Sequence, residues 1–405
     1  MAGELRVLIT TRLFPSAADP LAAAFNRQQF AALAKLCEVQ VLGVVPWFPG
    51  AGLFSRWSAA GRLTKVPARE RIEGLDVQHP RVFYLPRFGH ALAPALYTAS
   101  LLPWLNERRG NVDVVLGSWA FPDGVAAVTM ARLLGVPAVV KLHGSDLNVL
   151  TELPPVRRLL QRSLPRAERV VAVSRGLAEK ARVLGVAPGR IALVPNGVDR
   201  QLFRPQDRAT ARRELGLDIG ERPLLLYVGR LEQAKGTGDL LAAFQRLAAA
   251  RPEPVLALVG DGSESARCAE VAAAMPGRVL VPGPRLLVEV ARWMAACDLL
   301  VLPSWNEGTP NVILEALASG RRVVATRVGG IPDVITSPVL GELVPPRDPE
   351  ALARILNGAL AQPYDPAALA AAAPGGWDDS AARLYQVLLA AARKHPVEAD
   401  TSVAA

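Results

Sequence analysis

The sequence predicts an α/β protein made of two doubly wound, parallel-sheet domains facing a cleft. Three observations predict it. Short apolar runs alternate with longer stretches of helical periodicity along almost the whole chain. This alternation starts a second time after a segment rich in breakers. The 405 residues are 51% apolar and 20% charged, which suits more than one packed core and excludes a mainly disordered chain.

In the first half, residues 5–10, 39–45, 112–116, 138–142, 170–173 and 191–194 are short Val-, Leu- and Ile-rich runs, as expected of strands buried on both faces. Helical patterns at 25–36, 124–134 and 174–184 lie between several of them. Pro195, Gly197 and Pro205 then mark a linker near 198–206. In the second half, strands are predicted at 224–228, 255–259, 279–281, 299–302 and 323–326, with helices at 240–250, 266–275, 287–297 and 311–319. A boundary falls near 373–376, and 377–394 reads as one amphipathic helix before a frayed tail from His395. The predicted domains are 1–198, 206–373 and a C-terminal segment 374–405. Open α/β sheets bind ligands beyond the carboxyl ends of their strands, so the cleft between the two domains is the expected site.

Composition narrows the function classes. No run of 18 apolar residues without charge is present, so no transmembrane helix is expected. Glu4 and Arg6 precede any apolar stretch, unlike a secretory leader. Cys37, Cys268 and Cys297 are far apart and form no CxxC pair, which argues against a zinc site or a disulfide framework and fits a reducing cytoplasm. The first 200 residues carry 25 Lys and Arg against 14 Asp and Glu, and the remainder 21 against 23. The basic half suits an anionic substrate or lipid surface, and no nucleic-acid motif accompanies it.

The strongest chemical signal runs from Pro303 to Gly320, PSWNEGTPNVILEALASG, directly after an apolar strand. Thr309 is the expected N-cap, Pro310 the first helical residue, and Gly320 the helix stop. Backbone N–H groups from Thr309 to Val312, Pro310 having none, would cradle a phosphate at the helix N-terminus. Glu307 and Glu315 bracket that cradle and suit the hydroxyls of a nucleotide sugar. The second signal, YVGRLEQAKG from Tyr227 to Gly236, follows the first strand of the second domain. Gly229 frees the strand end, and Arg230 and Lys235 supply two cations for a diphosphate.

These segments resemble the retaining glycosyltransferases of family 4, which have the GT-B architecture of two Rossmann-like domains. Similar segments cover most of the chain: VPNGVD from Val194, LVGDG from Leu258, ATRVGGIP from Ala325 and GELVPP from Gly341. Phe14-Pro-Ser, Arg27-Gln-Gln and KLHGSDLNV from Lys141 resemble a subset associated with bacterial exopolysaccharide and teichuronic-acid assembly. The resemblance implies that Arg230 and Lys235 bind the donor diphosphate and stabilise its departing charge. It gives Glu307 the donor-sugar hydroxyls and Glu315 the ribose hydroxyls. Gly308, Thr309, Pro310, Asn311 and Val312 would supply backbone contacts. His143, at the end of a first-domain strand, matches the family's active-site histidine. Asp146 either orients His143 or caps the segment after it. The C-terminal helix would cross back to the first domain. Many members carry a glycine pair in the first loop. Residues 14–20 here contain none, which leaves Arg12 and Arg27 as candidates for the acceptor side.

The implied reaction moves a hexose-type sugar from a nucleotide-diphosphate sugar to a saccharide or lipid-linked saccharide acceptor, in cell-surface polysaccharide synthesis. Retention is expected by attack from the leaving-group face. No metal and no cofactor are expected, since Asp378-Asp379 sits in the terminal helix rather than at a strand end. Competing classes are a nucleotide-sugar epimerase of the same architecture, a catalytically silent nucleotide-sugar-binding protein, and a dehydrogenase. The last rests only on the imperfect Gly260-x-Gly262-x-x-Ser265. Residues 47–65 and 83–109 interleave Trp, Phe and Leu with Arg and Lys, suiting peripheral contact with the anionic inner face of a membrane.

Overall fold

The computed structural model describes residues 4–20, 22–54, 61, 63–85 and 89–393. The chain forms two compact units. One comprises Met1–Asn196 together with the segment from Trp377 onward; the other is Gly197–Gly376.

The first unit is built on β1 (Arg6–Thr11), β2 (Glu38–Gly43), β3 (Val45–Trp47), β4 (Arg69–Ile72), β5 (Leu75–Gln78), β6 (Arg81–Phe83), β7 (Val114–Ser118), β8 (Ala138–Leu142), β9 (Arg169–Ala172) and β10 (Ile191–Leu193). Its main sheet has the order β10-β9-β8-β7-β1-β2-β5-β4, parallel throughout except for the β4–β5 hairpin. β7, β8 and β9 are buried along their whole length, as apolar strands covered on both faces must be. The strand expected at 39–45 divides after Gly43. β2 continues the main sheet, while β3 turns away and pairs with β6. The strand expected at 112–116 starts at Val114, and Asp113 just before it ties the start of β1 through its carboxylate to the Arg6 N–H and guanidinium. β4 and β5 carry no long apolar run. They alternate in exposure and turn at Glu73-Gly74, both with positive φ.

The helix Trp377–Arg393 belongs to this unit and packs on the helix Ala24–Leu33. Trp377, Leu384 and Leu388 join Phe30, Leu33 and Val171 in one apolar cluster. Lys394 and the tail from His395 lie outside the described residues.

The second unit holds β11 (Leu224–Val228), β12 (Val255–Val259), β13 (Val279–Gly283), β14 (Leu299–Leu302), β15 (Arg322–Thr326) and β16 (Gly341–Val344). They form one parallel sheet in the order β13-β12-β11-β14-β15-β16. Renumbered within the unit this is 3-2-1-4-5-6, the Rossmann order. Among the described residues no helix is long and apolar enough to cross a membrane. Of the stretches expected to meet a lipid surface, residues 55–60, 62 and 86–88 lie outside the described residues. Within the rest, Tyr97, Leu101 and Leu105 turn into the core, whereas Trp47, Leu85, Leu92 and Leu102 stay exposed.

Candidate active site

In the second unit the strand order reverses between β11 and β14, and ligands of open sheets settle at such a reversal. The loops that leave these two strands carry both motifs singled out in the sequence. After β11 the Tyr227 hydroxyl donates to the Arg230 carbonyl at 2.7 Å, which folds the turn. A 3-10 turn at Gln233–Lys235 then aims Lys235 across to the β14 loop, where Nζ lies 2.7 Å from Glu307 Oε1. The two side chains are 24% and 11% exposed. Arg230 pairs instead with Glu232 at 2.8 Å and is 68% exposed.

Backbone contacts hold this pair in place. Gly236 has φ 70°, and a Cβ there would stand 2.0 Å from the Pro303 carbonyl oxygen. The Trp305 N–H donates to the Ala234 carbonyl at 3.0 Å, and its indole N–H donates to Asp239 Oδ2 at 2.7 Å. Arg347 stacks on the Trp305 ring at 4.3 Å. From the other side, the loop after β15 closes on Glu307. A Cβ on Gly329 would meet the Glu307 carbonyl oxygen at 1.9 Å, and the Gly330 N–H donates to the Gly308 carbonyl at 2.7 Å.

The helix after Glu307 spans Asn311–Ala318, and its N-cap is Pro310, not Thr309. Pro310 keeps ψ 116°, which is extended, and its carbonyl accepts the Ile313 N–H at 3.1 Å. Proline therefore stands one position earlier than the sequence predicted. Gly320 follows the Ser319 C-cap with φ 69°, as expected of a helix stop. Glu315 lies inside this helix, where burial raises its carboxyl from 4.5 to about 7.

In the first unit the corresponding reversal lies between β1 and β7. His143 directly follows β8. Its Nε2 is 2.9 Å from Ser118 Oγ at the end of β7. Its ring contacts Phe25, with centroids 4.9 Å apart, and Trp119, with centroids 5.8 Å apart. Burial holds the imidazole pKa well below its usual value, and the neighbouring Lys141 charge adds to this. Asp146 both caps and positions. Its buried carboxylate accepts the backbone N–H groups of Ala120, His143, Gly144 and Leu147, so it ties the loop after β7 to the loop after β8. Burial raises its pKa against the opposing pull of those donors.

Arg12 donates through its backbone and guanidinium to the buried Asp123, at 2.5 and 3.3 Å. Arg27 is held by Glu73 at 3.1 Å. Lys141, fully buried, donates to Gln29, whose amide donates to Ser380 Oγ on the C-terminal helix at 2.8 Å. Burial lowers the lysine pKa to about 7, opposed by Asp146. Asn26, Ser118, Trp119, Asp123 and Lys141 escaped the sequence reading. The available signal was polar residues inside apolar elements: Asn26 and Gln29 on one face of a helix, Lys141 within a Val-rich strand. Among the described residues no group of three or more His, Cys, Asp and Glu could hold a metal ion.

Residues 27–202 match the family model described as Glycosyltransferase Family 4, and residues 222–362 match that described as Glycosyl transferases group 1. D-inositol 3-phosphate glycosyltransferase 1 of Catenulispora acidiphila is 32% identical over 367 residues, covering 83% of this chain and 85% of that protein. The chain belongs to glycosyltransferase family 4. The family-4 chain is also 28% identical over 362 residues to a Bacillus subtilis protein described as a teichuronic acid biosynthesis glycosyltransferase, TuaC, covering 87% and 88% of the two chains. Among solved structures, Anabaena HepE in complex with UDP and glucose superposes with TM-score 0.65 at 20% identity, covering 96% of this chain and 99% of that one. At that identity the likeness concerns the fold, which is GT-B.

Proposed function

We propose that this family-4 glycosyltransferase uses a nucleotide-diphosphate sugar as donor and transfers its hexose-type sugar with retention. The observation that carries the reading is the Lys235–Glu307 pair at the strand-order reversal, immediately before the helix Asn311–Ala318. A cation for the diphosphate, a carboxylate for sugar hydroxyls and a helix N-terminus for phosphate stand in one place. Lys235 and Arg230 hold the diphosphate. Gly229 leaves the strand end open to them. Glu307 takes donor-sugar hydroxyls, Glu315 takes ribose hydroxyls, and the backbone of residues 308–312 completes the donor site. His143 meets the reacting sugar. Arg12, Arg27 and Asp146 lie in the unit assigned to the acceptor.

Catalysis rests on positioning and on stabilising the departing diphosphate, with its oxygen helping to deprotonate the acceptor. In this reading no metal takes part, and Lys235 and Arg230 turn from Glu307 and Glu232 to the diphosphate. The acceptor is a saccharide or lipid-linked saccharide of cell-surface polysaccharide synthesis, as the name of the Bacillus subtilis relative suggests. Location in the cytoplasm, with exposed Trp47, Leu85, Leu92 and Leu102 resting on the inner membrane face, suits such an acceptor. Equal co-sedimentation with neutral and anionic liposomes would remove that part.

The deciding experiment is calorimetric titration with UDP, GDP, ADP, dTDP and CMP, each with and without EDTA. One nucleoside diphosphate is expected to bind, equally well in EDTA, and to lose affinity in Lys235→Ala and Glu315→Ala. Binding to none of them, or binding abolished by EDTA and restored by magnesium, contradicts the reading.

A further inference from the structure

Three buried or half-buried side chains of the first unit form a hydrogen-bond chain whose direction can be deduced. Asn26, in the helix Ala24–Leu33, places its amide 2.7 Å from the Leu13 carbonyl oxygen. A carbonyl only accepts, so the NH2 group faces Leu13 and Oδ1 faces the other way. Oδ1 lies 3.0 Å from Ser118 Oγ. An amide oxygen also only accepts, so the single Ser118 hydroxyl proton points to Asn26. Ser118 Oγ has its lone pairs left for His143 Nε2, 2.9 Å away.

We infer that Asn26 and Ser118 are positioning residues that fix His143 as the Nε2–H tautomer, leaving Nδ1 as a bare acceptor for a hydroxyl of the sugar substrate. The tautomer stands on geometry alone, and the sugar contact rests on the transferase reading. Phe25 and Trp119 both pack on the ring, which opposes its rotation. The depressed imidazole pKa agrees, since a second proton would have to sit on Nδ1. Among the described residues Nδ1 has no protein partner, and the side chain is only half-buried, so a ligand atom can reach it. Nothing beyond substrate binding is needed to use it: a hydroxyl donates its hydrogen bond to Nδ1, and no bond is made or broken on the ring.

The test is long-range proton–nitrogen correlation of the imidazole rings in the full chain labelled with 15N-histidine, His143 being assigned by its loss in His143→Gln. The wild type is expected to show a pyridine-like Nδ1 and a pyrrole-like Nε2. Asn26→Leu frees the Ser118 proton to point at Nε2, so the spectrum should move toward the Nδ1–H form. Ser118→Ala should give a mixture, and Ser118→Thr, which keeps the hydroxyl, should restore the wild-type pattern. Unchanged His79 signals show that each variant folds. With a donor in hand, Asn26→Leu should lower kcat/KM about tenfold, the worth of one hydrogen bond, through a higher KM for the sugar substrate and with kcat little changed. An Nδ1–H spectrum in the wild type, or a pattern indifferent to Ser118→Ala, overturns the relay. A wild-type Nε2–H spectrum in a chain that turns over no nucleotide sugar supports the relay and removes the transferase reading instead.

Discussion

Lys235 Nζ and Glu307 Oε1 lie 2.7 Å apart, across loops that leave two neighbouring strands of one sheet. The carboxylate is the partner of the ammonium that the proposed function gives to a diphosphate. On the proposed reading, a diphosphate would take the place of the Glu307 carboxylate at Lys235 and leave Glu307 to the sugar hydroxyls.

This exchange predicts opposite behaviour for the two residues. If Lys235 contacts the departing charge, as proposed, Lys235→Ala should lower kcat ~10²–10³-fold, about 2.7–4 kcal/mol. Glu307→Gln keeps the shape and frees the lysine. A nucleoside diphosphate without sugar should bind it no more weakly than the wild type, while turnover of the full donor falls. Initial rates at saturating donor, with calorimetric binding, check both. Near-wild-type turnover of Lys235→Ala would sink the assignment.

Glu315 gives the site a pH dependence. Burial raises its carboxyl from 4.5 to about 7, so in that range the folded chain holds a proton that the unfolded chain has released. Its contribution to stability is therefore fully present at the acid end and lost as pH rises from about 4.5 to 7. Glu315→Gln should flatten that part of the stability curve in chemical denaturation. On the proposed reading, ribose hydroxyls at Glu315 would favour the charged carboxylate, which can accept both of their hydrogen bonds. Nucleotide binding near neutral pH should thus expel a proton. Binding heats in two buffers of different ionisation enthalpy should differ for the wild type and agree for Glu315→Gln. Equal heats for the wild type would exclude the ribose contact.

Gly236 predicts a structural cost with a functional readout. Its φ of 70° disfavours any side chain, and a Cβ would stand 2.0 Å from the Pro303 carbonyl oxygen. Gly236→Ala should lose about 1–2 kcal/mol from the left-handed backbone alone, before the clash is counted. The clash pushes the Lys235 loop from the Glu307 loop, so nucleotide affinity should fall with stability. Thermal unfolding and titration on the same variant measure both. Wild-type affinity in the Gly236→Ala variant would show that the two loops need not touch.

Much of this was legible in the sequence, and the reason is physical. Strands 138–142, 224–228, 255–259 and 299–302 are buried on both faces, so their apolar runs end where the ladders end. The sequence places His143 directly after such a run, and Lys235 and Glu307 in the loops that follow two others, which is where the structure has them. What escaped depends on partners distant in sequence. The β4–β5 hairpin turns at Glu73-Gly74, a pair with weaker turn chemistry than Asn-Gly, and only its alternation marks it. Pro310 as N-cap follows from an extended ψ that spacing does not encode. Asn26 and Ser118 are 92 residues apart, and only the fold brings the amide to the hydroxyl.

Asp146 supports the last prediction. Its carboxylate accepts four backbone N–H groups, from Ala120, His143, Gly144 and Leu147, in a fully buried position. Asn at this position keeps the volume but halves the acceptors. Its NH2 group would also face backbone N–H groups, donor against donor. Each buried donor left without a partner costs about 1–3 kcal/mol, so Asp146→Asn should destabilise the first unit by several kcal/mol. Because His143 and Ala120 share this one carboxylate, the loss falls on the two loops that hold the imidazole. Hydrogen exchange should therefore rise first at residues 120 and 143–147, while the Lys235 site in the other unit keeps its nucleotide affinity. Uniform loss of protection across both units would mean that Asp146 serves global stability rather than the His143 loop.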